Sequence, residues 1–519
     1  MKKFNITGRC FPKEHYMADV SKKLAIALKM IENEDYFIIN RPRQYGKTTA
    51  LYSLSDTLQK TGQYIVFNTS FEGIGDSIFN DERVFSQGFV ELLANYATVY
   101  APKLEKWLHE EAPKTQDLKA LAITISKLIN QTDKKVVLMI DEVDKSSNNQ
   151  LFISFLAMLR NKYLERDVFK TFNSVVLAGL HDVKSLKLKI RTNEEQKYNS
   201  PWNIAAEFKV DMNLQPAEIK PMLDDYVAET GVKMNTKKVA EHIFYYTSGY
   251  PFLVSKLCKI IDEELLPTKK TKKWTLEDVD IATRQLVTEN NTNFDSLIKN
   301  LENNPELYDA VYKVAVDGEK ISFNFHNPTT NLGILYGAFI LKKGVIAIHN
   351  RIYSEVIVNY MTDKMHQKQL DTGADFGAGY KNSDQSINME LVLLKFQTFM
   401  REQYSKQDRT FLERNGRLVF LAFIKPIING VGHDFKEPQI SEERRLDVAI
   451  TYNRHKYIAE LKIWRGQAAH EEGLIQLADY LEKQSLTDGY LVIFDHSSVK
   501  KWQSDRIVVK GKNIFMIWV

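Results

Sequence analysis

The stretch INRPRQYGKTTAL, Ile39 to Leu51, follows directly on the apolar run Tyr36–Ile39 and leads into the helical pattern TTALYSLSDTL. A buried strand, a short loop ending Gly-Lys-Thr and a helix opening on the next residue leave few folds open. In such a loop the backbone N–H groups converge on phosphate oxygens held at the positive N-terminal end of the helix. Gly46 lets the backbone approach closely. Lys47 reaches the β/γ-phosphates and Thr48 offers a hydroxyl to Mg²⁺. The remaining N–H groups come from Arg43, Gln44 and Tyr45 before the glycine and from Thr49 after it. Five residues before Gly46, where such loops usually open on glycine, stands Arg41, and Pro42 is positioned to stiffen the turn in its place.

A second stretch, KKVVLMIDEVDK, runs the apolar residues Val136–Ile140 into Asp141-Glu142. A buried strand of this kind delivers two carboxylates to its C-terminal end. There Asp141 can hold Mg²⁺ beside Thr48, and Glu142 can orient and polarise an attacking water. Two further runs, Tyr64–Phe67 and Ser174–Ala178, alternate with helical stretches such as Phe85–Tyr96 and Ala120–Ile129. Continuous β-branched strands between helices predict a mostly parallel, buried sheet in an α/β fold.

The chain is long enough, at 519 residues, for several domains. We place an ATPase-type domain at 1–264. A helical domain follows at 265–366, with patterns at Leu276–Glu289, Phe294–Leu301, Glu306–Val316 and Tyr353–Met361 and strand-like runs around Gly333–Ile348, an order that suits a winged helix. A polar, glycine-rich linker, with DTGADFGAGYKNSDQ, occupies 367–387 and a second α/β domain 388–519. The formal charge of +4 gives no global polyanion-binding signature, so a nucleic-acid surface must be local. Two isolated cysteines, Cys10 and Cys258, exclude cysteine-based metal sites and point to a reducing compartment. No run approaches the roughly 18 apolar residues of a membrane span, and the start carries no apolar signal region. A cytoplasmic protein without a membrane partner is expected.

In the second α/β domain, RRLDVAITYNRHKYIAELKIW holds two strand patterns around a turn. With the turn centred on Asn453-Arg454, Tyr452 faces His455, and counting back along both strands puts Asp447 opposite Glu460. Directly opposed Cβ atoms lie about 5 Å apart, and two like charges there destabilise a sheet. A divalent metal compensates for them. Lys462, two residues beyond Glu460, emerges on the same face. Two acids on a metal and one amine are enough to activate water and neutralise a phosphate oxygen. Arg444-Arg445, Trp464-Arg465 and Lys500-Lys501-Trp502 offer bases and aromatics of the kind nucleic-acid surfaces use.

The loop RPRQYGKTT is similar to the RPR-x-x-GK[ST] loop of AAA-like ATPases allied to the archaeal ATPase and STAND groups, in which the first glycine is often replaced. NSVVLAGLHDVKSL resembles their sensor strand, with His181 and the series Lys184, Lys187, Lys189 and Arg191 as a sensor and basic stripe. TSGYPFLVSKLC resembles their Gly-x-Pro segment near the nucleotide. The resemblance implies an ATP-binding core that can assemble with copies of itself, with Arg160 as a candidate to act in trans. The pattern D-x(n)-E-x-K resembles the PD-(D/E)XK nuclease superfamily, of the variant found fused behind such ATPases, with a restriction-endonuclease-like fold. In that family a helical acid completes the metal set of Asp447 and Glu460. Glu413 matches it, with Glu390 as the alternative. Gln476, with Tyr480 one turn on, matches the Gln-x-x-x-Tyr element, and Gln476 would face the site. Nucleic acid, in the first place DNA, is the implied substrate, and ATP and Mg²⁺ the implied cofactors. A STAND-like regulatory switch with a non-cleaving C-terminal domain is the alternative.

Overall fold

The computed structural model describes residues 1–71, 75–143, 150–179, 202, 204–315, 321–369, 380, 382, 384, 386–403, 419–421, 423–424, 448–452, 455–464, 467–495 and 502–519. They form two compact units, Met1–Leu297 with Leu332–Gly337, and Ile298–Asn331 with Ala338–Val519.

The first unit opens with α1 (Ser21–Glu32), β1 (Phe37–Asn40), α2 (Lys47–Lys60) and β2 (Tyr64–Ser70). It continues with α3 (Glu82–Tyr100), α4 (Pro102–Glu111), α5 (Leu118–Asn130), β3 (Lys135–Asp141), α6 (Gln150–Leu164) and β4 (Ser174–Gly179). The four strands pair in parallel in the order β1-β4-β3-β2. They are buried on both faces, which is why they read as unbroken apolar runs. One face packs Phe67, Leu138 and Leu177 against Phe85, Phe89, Leu121, Phe152 and Phe155 of α3, α5 and α6. Asp81 and Asp117 cap α3 and α5 by accepting from the N–H groups of Val84 and Ala120, the orphan donors of a first helical turn.

A helical set follows: α7 (Pro216–Thr230), α8 (Thr236–Thr247), α9 (Pro251–Ile260), α10 (Leu276–Val287) and α11 (Thr292–Glu302). The turn between α8 and α9 places Ser248 and Gly249 at φ 47° and 76°. A Cβ on Gly249 would sit 2.1 Å from the Leu214 carbonyl oxygen, and Leu214 N–H donates to the Gly249 carbonyl at 2.8 Å. Only glycine fits that conformation and that approach.

The second unit carries α12 (Pro305–Ala315), β5 (Ile321–Ser322), α13 (Pro328–Leu335, shared with the first unit), β6 (Phe339–Lys342), β7 (Val345–Ile348) and α14 (Arg351–Gln369). The three strands form a small antiparallel sheet, β5-β7-β6. Gly333–Leu335, expected in a strand-like run, is helical instead. The four-residue strands start only after Gly337 (φ 75°) ends that helix, a left-handed stop that a β-weighted reading of LGILYGAFIL misses.

The remainder holds α15 (Met389–Gln403), β8 (Val448–Tyr452), β9 (His455–Ile463), α16 (Gln467–Lys483), β10 (Asp488–Phe494), β11 (Ser504–Val509) and β12 (Lys512–Trp518). The sheet is mixed, in the order β11-β12-β10-β9-β8. Strands β9, β10 and β12 run parallel, with antiparallel β8 and β11 at the edges. Strand β11, largely exposed, lacks the apolar alternation that announces a strand and has no counterpart in the sequence reading. Phe396 and Met400 of α15 cover one face, against Val492, Phe494 and Ile517. Leu474, Leu477 and Leu481 of α16 cover the other, against Ile458, Leu491 and Met516. No helix of the described residues is long and apolar enough to cross a membrane.

Candidate functional site

Residues 41–46 link β1 to α2. Gly46, at φ 77°, stands immediately before Lys47, the first residue of α2. The loop therefore turns through a left-handed residue into a helix N-terminus. The buried Lys47 ammonium donates to the carbonyls of Arg41 at 3.0 Å and Pro42 at 2.9 Å. Thr48 Oγ1 donates to Asp141 Oδ2 at 2.5 Å, which places the hydroxyl side by side with the carboxylate at the end of β3. Glu142 follows at φ 55°, a conformation costly for a residue with a Cβ. Its N–H donates to Asp141 Oδ1 at 2.9 Å. Lys47, Thr48, Asp141 and Glu142 thus come together at the C-terminal ends of parallel strands. Ligands bind there in open α/β sheets.

The donor set suits a nucleotide polyphosphate with Mg²⁺. Lys47 would hold phosphate oxygens, and Thr48 and Asp141 would hold the ion, which typically keeps waters and phosphate oxygens as its other ligands. Bound Mg²⁺ would supply charge neutralisation across the phosphates. Among the described residues, no group of three or more His, Cys, Asp or Glu is placed to hold a metal by itself.

The rest of the loop is held mainly from distant parts of the chain, by residues that, Tyr250 of the TSGYPF segment apart, sequence reading missed. Arg41, in the place of the usual glycine, turns out of the loop. Its guanidinium donates to the carbonyls of Asn40 at 2.6 Å and Val210 at 2.5 Å. Burial lowers the pKa of this group from its usual value. Arg43 is exposed, and its carbonyl accepts from the Tyr250 hydroxyl at 2.7 Å. This contact sets the TSGYPF segment against the phosphate loop. Gln44, exposed and at φ 56°, meets Thr292 and Asn293 of α11. Tyr45 is buried, donates to Asn213 and sits edge-on to Tyr250, ring centres 4.7 Å apart. Burial holds its phenol well above the usual pKa. The Thr49 hydroxyl accepts from Cys10 N–H at 3.1 Å. Apart from Tyr250, whose segment the sequence singles out, these partners carry no periodic or spacing signal, because each is a single group brought in by tertiary folding.

Arg160 is half-buried on α6. His181, Lys184, Lys187, Lys189 and Arg191 lie outside the described residues.

In the second unit the β8–β9 hairpin pairs Tyr452 with His455 and continues residue by residue to Val448 opposite Ala459. Asp447, the next position, and Glu413 lie outside the described residues, as do Arg444, Arg445, Lys500 and Lys501. Glu460 is buried, with its side chain 6% exposed, and its carboxylate meets the Lys462 ammonium at 2.6 Å. Helix α16 runs along this face of β9. Gln476 Oε1 lies 3.5 Å from Lys462 Nζ, and a Cβ at Gly473 would approach the Lys462 side chain to 3.3 Å. Glu460, Lys462 and Gln476 are therefore neighbours. Glu390 is not: it is ion-paired with Arg506 of β11, and two strands stand between β11 and β9. Tyr480 is buried in the core under α16.

A family model described as an AAA-like domain matches residues 17–335. Among solved structures, a Walker-type ATPase of Pyrococcus abyssi is 12% identical, with 68% of this chain and 99% of that chain covered and a TM-score of 0.47. The ORC2 protein of Aeropyrum pernix, in its ADPNP-ADP complexes, is 13% identical over 70% of this chain and 96% of that one, TM-score 0.39. Drosophila ORC bound to DNA is 11% identical over 69% and 89%, TM-score 0.33. No curated protein matches. These scores are low, and the site rests on its own geometry.

Proposed function

Since the chain belongs to the AAA-like domain family, we propose that its phosphate loop binds and hydrolyses ATP with Mg²⁺, and that this gates a C-terminal domain which hydrolyses phosphodiesters in nucleic acid, in the first place DNA. The observation that carries the ATPase reading is the meeting of Lys47, Thr48, Asp141 and Glu142 at one sheet edge. Lys47 binds the β/γ-phosphates, Thr48 and Asp141 hold the ion, and Glu142 orients the water.

The nuclease reading is supported by the hairpin register running to Val448 opposite Ala459 and by the juxtaposition of Glu460, Lys462 and Gln476. In it, Asp447, Glu460 and Glu413 hold Mg²⁺, and Lys462, turned by Gln476, neutralises the phosphate oxygen. Domains at 1–264, 265–366 and 388–519 joined by a linker at 367–387 fit a nucleotide-gated cutter, and assembly through the ATPase domain fits its family. Defence against foreign DNA is the corresponding role.

One observation favours a second reading. The Glu460–Lys462 ion pair at 2.6 Å gives the buried acid a counter-charge from the protein itself, as in a regulatory ATPase whose C-terminal domain binds but does not cut. Plasmid DNA incubated with the full chain, Mg²⁺ and ATP decides between them. Nicking that Lys462→Ala abolishes while ATP hydrolysis persists supports the nuclease. Intact DNA across a series of divalent metals and DNA forms leaves the switch.

A further inference from the structure

Helix α11 begins in the first compact unit and ends in the second, the division falling between Leu297 and Ile298. Its first two residues hold the phosphate loop. Asn293 Nδ2 donates to Gln44 Oε1 at 2.8 Å, and Gln44 Nε2 donates to Thr292 Oγ1 at 3.3 Å. Both ends of one side-chain amide are thus bound to one helix terminus. Gln44 itself stands at φ 56°, and Asn293 is buried. Two residues upstream, Pro42 lies against Gly337, which follows α13, the other helix shared by both units; a Cβ at 337 would be 3.0 Å from Pro42 Cγ.

We propose that this amide clasp transmits the nucleotide state of the phosphate loop to α11, so that Asn293 and Thr292 are the coupling residues between nucleotide binding and the second unit. The inference rests on the ATP-binding reading above. Its physical basis is competition for one cation. The Lys47 ammonium is held by the Arg41 and Pro42 carbonyls, and phosphate oxygens are stronger, charged acceptors for the same protons. An ammonium that turns toward phosphate leaves those carbonyls, and the segment from Arg41 to Gln44 shifts with them. Gln44 cannot shift without either moving Thr292 and Asn293 or breaking the clasp. A helix transmits such a displacement along its length because its backbone hydrogen bonds make it stiff. Coupling of this kind is reciprocal: whatever fixes the far end of α11 changes ATP affinity by the same factor.

Hydrogen exchange on the full chain, with and without ATP·Mg²⁺, reads the clasp directly. In wild type, ATP changes the exchange rate of amides 298–302 by at least about twofold. In Asn293→Ala, held at ATP·Mg²⁺ concentrations that titration shows to be saturating for the variant, the response at 298–302 disappears. Thr292→Val, which keeps the side chain's shape while removing the acceptor, weakens the response in the same direction and serves where Asn293→Ala lowers the folded yield. A full response in both variants overturns the clasp. So does a wild type that binds ATP with no change at 298–302. A wild type that binds no ATP overturns the function proposed above, and the clasp's premise with it.

Discussion

The Thr48 hydroxyl and the Asp141 carboxylate are hydrogen-bonded at 2.5 Å, which joins the start of α2 to the end of β3. Asp141 is buried, 5% exposed, and Thr48 half-buried. Thr48→Val removes one donor to a buried acid and is expected to cost about 1–3 kcal/mol of stability. It also removes the hydroxyl that would hold Mg²⁺. Urea unfolding and Mg²⁺-dependent ATP hydrolysis, measured together, should both fall.

Glu142 combines a strained backbone, φ 55°, with the position of a water-orienting acid. The two properties separate by substitution. Glu142→Gln keeps the strain and loses the base, so hydrolysis drops about 100-fold or more while the melting temperature stays near wild type. Glu142→Gly loses both, so hydrolysis drops as far and the protein gains on the order of 1 kcal/mol. A stability gain in the inactive protein identifies strain kept for function.

Gly249 has neither conformational nor spatial tolerance: its φ is 76°, and an added methyl carbon would stand 2.1 Å from the Leu214 carbonyl oxygen. Gly249→Ala is expected to cost several kcal/mol, roughly the scale of a severe core substitution, and to loosen Tyr250 from the phosphate loop. Gly62→Ala, at φ 73° with nothing within 4 Å, is the control. It carries only the backbone term, of order 1 kcal/mol.

His349 is buried beside the small antiparallel sheet. Burial, reinforced by Lys342, pulls its pKa from 6.5 to about 3. The native state thus binds the proton less readily than the unfolded chain. The stability from this group is fully present above pH 6.5 and is lost as pH falls toward 3, at about 1.4 kcal/mol per pH unit. Between pH 6 and pH 4, His349→Gln should lose less stability than wild type, as read by chemical denaturation at each pH. An unchanged slope would show that the imidazole is not buried neutral.

The α/β core was legible because its strands are buried on both faces, so Val136–Ile140 and Ser174–Ala178 stood out as unbroken apolar runs. The hairpin register was legible for a different reason: pairing Tyr452 with His455 fixes every pair that follows, down to Val448 and Ala459. What stayed hidden depends on tertiary approach. Nothing in the pattern around Asn213, Asn293 or Gly337 points to a phosphate loop more than 160 residues away. Strand β11 was invisible because it is a short exposed edge whose Ile507-Val508-Val509 run does not alternate with polar residues. Glu390 looked like a third acid because its place on a helix before the hairpin fits the family. Its ion pair with Arg506 of β11 depends on the sheet order, which sequence does not reveal.

The most direct measurement is calorimetric titration of the full chain with ATP·Mg²⁺, wild type against Lys47→Ala. Wild type is expected to bind one nucleotide per chain. Loss of the ammonium's charged hydrogen bonds should weaken binding about ten- to a hundredfold. Equal affinity in the two proteins would contradict a nucleotide site at this loop.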